Sequence, residues 1–339
     1  DWSSDVCSSD LEIIQCKWDA IILDESTKIK SPHTKRTKIL WDIGHRIKRR
    51  YIMTGFPVTE NIADLYAQIK FLDTTNLLGP SYYAFLNTYF VKVGMQTLPR
   101  KKMVTQLIEK ISSFCIRVTN KTLKLPPAIY KKVDIELTHQ QKEALATFRS
   151  TFKLAFGKVS IDTQYIFTLI SKSLQICDGF IQDDKGNIEI IPTNKDEALI
   201  ETLEEMDAKH NKVVIWCAFR FSINKIRKYL QRLGYGVLGL TGSTEDPDLV
   251  IKRFQHDKRY TILLATQKKA AESVTLTASK FAIYYSNVWS YDLRANSEAR
   301  IRRKGSERHS SITYVDFVTD TIVERKVWEC LRKKKDLIS

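Results

Sequence analysis

No stretch of this chain stays apolar for the roughly 18–20 consecutive residues that a membrane-spanning helix needs. No basic n-region opens it either: the first residues carry Asp and Ser where a secretory leader carries Lys or Arg. Cysteine is sparse and scattered. The six, Cys7, Cys16, Cys115, Cys177, Cys217 and Cys330, form no C-x-x-C pair and have no His at metal-ligand spacing. That pattern speaks against a disulfide framework or a zinc site and for a reduced, cytoplasmic protein. No internal repeat recurs. Also missing is G-x-x-x-x-G-K-[ST], the loop that wraps nucleotide phosphates. Gly157-Lys158 is the only Gly-Lys pair, but Phe152 stands at the position of the first glycine and Val159 at that of the Ser or Thr.

What is present is ordinary for a globular protein in its 43% apolar and 27% charged residues, and unusual in its net charge of +15. An excess of that size over 339 residues fits either a polyanionic partner or a solvated basic surface. Residues 1–11, DWSSDVCSSDL, have no hydrophobic period and read as a translated sequencing-library adapter; the native frame is then expected to continue upstream. Removing its Asp1, Asp5 and Asp10 lifts the charge to +18.

Ala20-Ile21-Ile22-Leu23 is a short apolar run ending in Asp24-Glu25, the pattern of a parallel strand buried on both faces. A basic stretch, Lys28 to Lys38, leads to a second strand, Tyr51-Ile52-Met53. Helical spacing with many aromatics fills 60–90. Leu125-Pro126-Pro127 begins a connector, mostly helical over 126–195, with Thr138 and Gln141 spaced as a capping box. From 196, apolar runs at 213–216, 237–240, 262–265, 282–285 and 312–317 alternate with helical stretches, among them one capped by Asp246-Pro247 and one over 293–304. Such alternation predicts an α/β fold with parallel strands and helices on both faces.

Ligands of open α/β sheets bind beyond the carboxyl ends of the strands. An Asp at 24 can hold Mg²⁺ there, and a Glu at 25 can polarise an attacking water; many strands, however, simply end in an acidic turn. Arg300 and Arg303 are three apart in a helical stretch, which predicts one shared face. Two guanidiniums there can stabilise a transferring phosphoryl group, or belong to a solvated basic helix with Arg302, Lys304 and Arg308.

The order of these elements carries more than any one of them. DEST at 24–27 is followed by RRYIMTGFPVTENIADLYAQIKFLD at 49–73, KVVIWCAFRFSINKIRKYL at 212–230, LLATQKKAAESVTLTAS at 263–279 and NSEARIRRKGSERHSSITYVDFVTDTIVERK at 296–326. The series resembles the Swi/Snf-type superfamily-2 helicase-like ATPases, especially the compact phage and bacterial ones, over nearly everything after residue 12. The resemblance implies two RecA-like lobes, the first incomplete (12–125, with helical insertions) and the second spanning 196–339. It implies ATP and Mg²⁺ as cofactors, ATP hydrolysis between the lobes, and movement along DNA, duplex or single-stranded. Asp24 and Glu25 match the family's Walker B acids, Thr54 and Gly55 its Thr-Gly-x-Pro coupling element, and Arg300 and Arg303 the arginines of its last motif. Lys28, Lys30, Lys35 and Arg36 are candidate phosphate contacts, joined by Lys268 and Lys269.

Several positions depart from the family. Phe56 replaces a small Thr, Asn296 a Gln and Ser306 a Gln, and Ala270-Ala271-Glu272-Ser273 falls where Gly-Gly-x-Gly is usual. The string K-K-A-A-E predicts helix there rather than a glycine loop. Only residues 12–19 separate the adapter-like stretch from the first strand, so truncation is the expected reason that the phosphate loop is missing. Two alternatives stay open: a basic nucleic-acid-binding protein that has lost catalysis, and an RNA helicase of the same superfamily.

Overall fold

A computed structural model describes residues 18–55, 57–58, 61–73, 75–93, 96–116, 118, 123–156, 163–270 and 274–338. The adapter-like residues 1–11, Phe56, Gly157-Lys158 and Ala271-Glu272-Ser273 lie outside them. The chain divides into two compact units at 117/118.

The first unit opens with strand β1 (Ala20–Leu23), a 3-10 turn (Ser26–Ile29), helix α1 (Lys35–His45) and strand β2 (Arg49–Ile52). Helices α2 (Asp64–Leu72) and α3 (Tyr82–Tyr89), the hairpin β3 (Phe90–Val93) and β4 (Gln96–Pro99), and α4 (Lys101–Ser112) follow. β1 and β2 pair in parallel, Leu23 beside Ile52. The strand is there, but its expected two-sided burial is not: Ile22 is 59% exposed and Tyr51 53%. Among the described residues this sheet has two strands only, so alternate side chains of each remain at the surface. The aromatics of 60–90 pack as helical core, with Tyr66 and Phe85 at its centre beside Ile69, Tyr89 and Leu107.

The second unit is built on six parallel strands: β5 (Ala128–Ile135), β8 (Val213–Cys217), β9 (Val237–Leu240), β10 (Ile262–Thr266), β11 (Phe281–Tyr284) and β12 (Ile312–Thr319). Between β5 and β8 come helices α5 (His139–Phe156) and α6 (Thr163–Cys177), the hairpin β6 (Phe180–Gln182) and β7 (Ile188–Ile190), and α7 (Lys195–Glu205). Then α8 (Arg220–Arg232), α9 (Pro247–His256), α10 (Gln267–Ala270), α11 (Tyr291–Ile301) and α12 (Ile322–Ile338) alternate with the strands. The sheet order is β5-β12-β11-β8-β10-β9. Alternation sends Val213, Ile215 and Cys217 into a core with α7 and α8, and Val214 and Trp216 into another with Phe254 of α9 and Ile301 of α11, so both faces are covered. The α/β expectation holds for this unit.

Local chemistry sets the boundaries. Thr138 and Gln141 form a reciprocal capping box, the Thr138 N–H donating to Gln141 Oε1 at 3.0 Å and the Gln141 N–H to Thr138 Oγ1 at 3.2 Å. Asp246 caps α9 by accepting from the Leu249 N–H at 2.9 Å, with Pro247 behind it. The segment expected as a mostly helical connector differs at its start: residues 128–135 are an edge strand of the sheet, Ala128 beside Ile312 through Ile135 beside Thr319.

The rest of that segment is pinned by a buried ionic cluster. Lys195, fully buried, donates to Asp178 at 3.0 Å, to Glu324 at 2.6 Å and to the Tyr285 carbonyl at 3.0 Å. Asp178 also accepts from the hydroxyls of Ser222 and Ser286, each at 2.8 Å. Burial alone would lower the Lys195 pKa, but Glu324 and Asp178 raise it and hold the ammonium charged. Burial pushes the Asp178 carboxyl up against the pull of Lys195.

A tight crossing occurs where Gly236 meets the start of β10. A Cβ at Gly236 would lie 1.6 Å from the Arg259 carbonyl oxygen. Gly236→Ala should therefore destabilise the unit by about 3 kcal/mol, the upper end of ordinary overpacking. A denaturant titration checks this; a loss below about 1 kcal/mol would mean that the crossing yields.

Candidate functional site

The acidic pair sits at the carboxyl end of β1. The Glu25 N–H donates to Asp24 Oδ1 at 2.8 Å, fixing the carboxylate over its own turn. Glu25 has φ +52° and ψ +52°, a left-handed conformation that a non-glycine residue adopts at some cost and that clusters at functional turns. Asp24 is exposed and Glu25 half-buried.

That turn is bonded to the end of β2. The Met53 N–H donates to the Leu23 carbonyl at 2.8 Å, and the Ser26 N–H to the Met53 carbonyl at 3.0 Å. Ser26 Oγ donates to Gln68 Oε1 at 2.7 Å, and Gln68 Nε2 donates to the carbonyls of Pro57 and Asp64, both at 2.8 Å. Asp24-Glu25 and Thr54-Gly55 are thus neighbours in one hydrogen-bonded frame, with buried Gln68 on α2 as its keystone. Sequence reasoning passed over Ser26 and Gln68. Ser26 lies within the DEST string, but nothing local marks Gln68, whose role depends on a contact 42 residues away.

The residues fit a nucleotide-delivered Mg²⁺ better than a protein-caged one. Among the described residues no group of three or more His, Cys, Asp or Glu could hold a metal. One exposed carboxylate at a strand end is the donor set Mg²⁺ uses when water and phosphate fill most of its shell.

The candidate phosphate contacts of the first unit follow at once. Lys28 is exposed in the 3-10 turn, and Lys30 is half-buried just after it. Lys35 and Arg36, both exposed, occupy the first turn of α1, which contains no acidic residue and is capped by Thr34. Cations at the positive end of a helix dipole are unfavourable by a few tenths of a kcal/mol to about 1 kcal/mol each, a cost that an external anion would reverse.

In the second unit Lys268, exposed, and Lys269, half-buried, lie on α10, immediately past the carboxyl end of β10. The described part of the 268–272 string is helical. Arg300 is on α11, its carbonyl accepting from the Leu276 N–H at 2.9 Å. Arg303 is not on that helix. α11 stops at Ile301, Arg302 takes φ −96° and ψ +79°, and Gly305 at φ +101° turns the chain away. The shared helical face expected from three-residue spacing is therefore absent. Arg303 instead donates to the Val274 carbonyl at 3.3 Å. Asn296 is half-buried on the helix; Ser306 is buried, with a hydroxyl that finds no partner among the described residues.

The residue that sequence reasoning missed here is Arg294. It donates to Glu298 Oε1 at 2.7 Å, to Asn287 Oδ1 at 2.9 Å and to both oxygens of Asp316, Oδ2 at 3.0 Å. Its guanidinium lies 3.4 Å from the centre of the Tyr284 ring. The i, i+4 spacing to Glu298 was visible; the partners on β12 and after β11 were not.

The SNF2-related domain family matches residues 6–179 and the helicase conserved C-terminal domain residues 194–305. YwqA of Bacillus subtilis is 24% identical over 340 residues, covering 96% of this chain and 36% of its own. The uncharacterized ATP-dependent helicase MG018 of Mycoplasma genitalium is 22% identical, covering 99% and 32%. The chain spans about a third of the length of these curated relatives. Among solved structures, the Sulfolobus solfataricus SWI2/SNF2 ATPase core in complex with dsDNA aligns over 96% of this chain and 69% of its own, with TM-score 0.51 and 24% identity. The C-terminal part of the Fun30 ATPase domain aligns over 61% and 90%, with TM-score 0.51 and 17% identity. At these identities the likeness is one of fold.

Proposed function

Because this chain belongs to the SNF2-related family, with a helicase C-terminal domain behind it, we propose that the whole protein is an ATP-driven translocase on DNA. In this reading Asp24 holds Mg²⁺ and Glu25 orients the attacking water; Arg300 and Arg303 neutralise the transferring phosphoryl group. Thr54 and Gly55 relay the nucleotide's state, and Lys28, Lys30, Lys35, Arg36, Lys268 and Lys269 grip the phosphate backbone. Mg²⁺, arriving with ATP, would supply charge neutralisation at the phosphates. A reducing, cytoplasmic setting belongs to the same proposal; no helix among the described residues is long and apolar enough to cross a membrane.

The observation that carries the reading is the frame around Ser26. A nucleotide-sensing acidic turn and a coupling segment must move as one piece, and here two backbone hydrogen bonds and the Ser26–Gln68 bond join them. A mere basic DNA-binding protein has no use for an acidic pair held in that way. The deciding experiment is ATP turnover by the whole protein with and without duplex DNA. Turnover that rises on adding DNA supports the proposal; absence of turnover with retained DNA binding would favour the non-catalytic alternative.

The 339-residue chain alone should turn ATP over at no more than the buffer rate, since no G-x-x-x-x-G-K-[ST] occurs within it to cradle the β- and γ-phosphates. DNA-stimulated hydrolysis by it would refute the placement of the site.

Its DNA binding should nonetheless be steep in salt and indifferent to sequence. Each phosphate neutralised steepens the log–log salt dependence by roughly 0.9 on duplex DNA. Removing Lys35 and Arg36 together should shallow it by about 2. An unchanged slope in that double variant would take α1 out of the interface.

A further inference from the structure

The hydrogen bonds of Arg294 join three pieces of the second unit that no single motif connects. At one end is α10, which carries Lys268 and Lys269. Gln267, buried at the start of that helix, accepts from the Val288 N–H at 3.0 Å and lies 3.5 Å from Asn287 Oδ1. Asn287 donates to Asp316 Oδ1 at 2.9 Å and accepts from Arg294 at 2.9 Å. At the other end the Leu276 N–H meets the Arg300 carbonyl and the Val274 carbonyl meets Arg303. α10 is therefore joined to the chain just before the first turn of α11, and residues 274–276 to its last turn and the turn beyond.

We propose that Arg294 is a positioning residue that clamps α11 to the middle of β12 and to the turn after β11, so that a shift of the lysine-bearing α10 reaches Arg303 instead of being lost in the first turn of the helix. The inference rests on the roles proposed above for Lys268, Lys269 and Arg303.

The choice of arginine supports a clamp over simple packing. Its rigid fork spans Asp316, Asn287 and Glu298 at once, which a single ammonium cannot do. Glu298 is held from its other side as well, accepting from the Tyr130 hydroxyl on β5 at 2.7 Å. With Asp316 on β12 and Asn287 after β11, α11 from Arg294 to Glu298 is fixed to three strands. Past Glu298, the Arg300 carbonyl accepts from the Leu276 N–H and the Arg303 side chain donates to the Val274 carbonyl.

The test compares Arg294→Lys and Gln267→Ala with the parent in the whole protein, reading the ratio of DNA-stimulated to basal ATP turnover. DNA affinity and ATP affinity are measured alongside. The clamp predicts that this ratio falls about tenfold in both variants, within the usual span of coupling between sites, while both affinities stay within about twofold of the parent. Basal and stimulated turnover falling by the same factor, or an unchanged ratio, would overturn it, since loss of packing alone has no reason to act on stimulation selectively. Should Arg294→Lys fail to fold, Gln267→Ala decides, because it removes a link at the far end and leaves the ion pairs in place. A parent protein without DNA stimulation would refute the proposed function itself, before either variant is made, and this inference with it.

Discussion

Lys195→Met in the 339-residue chain is expected to lower the unfolding free energy by about 3–5 kcal/mol, the range for breaking a buried ion pair from one side. Methionine fills the same volume, so little of the loss is cavity. What remains is Asp178 and Glu324, both buried, without the cation that joined them. Asp178 keeps its two serine donors and Glu324 its bonds from the N–H and hydroxyl of Thr319, both at 2.7 Å, but none of these supplies charge. The sign of the pH dependence follows. Burial already raises the Asp178 carboxyl with Lys195 present, and without the ammonium that carboxyl rises further. The folded variant then binds more protons than its unfolded chain, so its stability grows as pH falls and its deficit shrinks on acidification from neutrality. Denaturant unfolding at two pH values measures both effects. A deficit below about 1 kcal/mol, or one that widens in acid, would mean that the cluster is not the pin it resembles.

Two substitutions in the whole protein should act on turnover far more than on binding. Glu25→Gln keeps shape and hydrogen-bonding reach but cannot serve as a base toward water, so ATP should still bind while hydrolysis nearly stops. Arg303→Ala should lower turnover by something on the order of 10³, the low end for an arginine acting on a transferring phosphoryl group. The expectation rests on the partner of Arg303 among the described residues, one neutral carbonyl at 3.3 Å. That weak bond is readily exchanged for a charge-assisted one to phosphate. Steady-state kinetics with a separate nucleotide-binding measurement separates the two effects. Near-parental turnover in the arginine variant would reduce the turn after α11 to a basic surface.

The sequence disclosed most where burial is complete on both faces. β8 and the first four residues of β10 are continuous apolar runs because each of those side chains enters a core, and the caps at Thr138 and Asp246 are local enough to be read in four residues. β5 escaped because an edge strand need not be apolar throughout: Lys131 and Lys132 stand in its middle, and only Ile135 of its eight residues is fully buried. The end of α11 escaped for the opposite reason. Arg302-Arg303-Lys304 has good helix propensity, yet the helix ends at Ile301, where Arg302 leaves helical geometry with its side chain donating to the Pro126 carbonyl at 2.7 Å. Within the candidate site, the acidic pair and the arginines were legible as residue types in order. Gln68 and Arg294 were not, because each draws its meaning from partners far along the chain.

The pairing of β5 with β12 has a consequence for synthesis. The first strand of the sheet to leave a ribosome waits beside nothing until residues 312–319 emerge to pair with it, while β8 to β11 can find one another early. Closing so long a loop is entropically modest but slow, and until it closes both β5 and the free side of β11 present unpaired backbone, a template for association between nascent chains. A fragment cut at 305, where the helicase C-terminal match ends, would leave those two edges open permanently. It should aggregate more readily than a chain carried through β12.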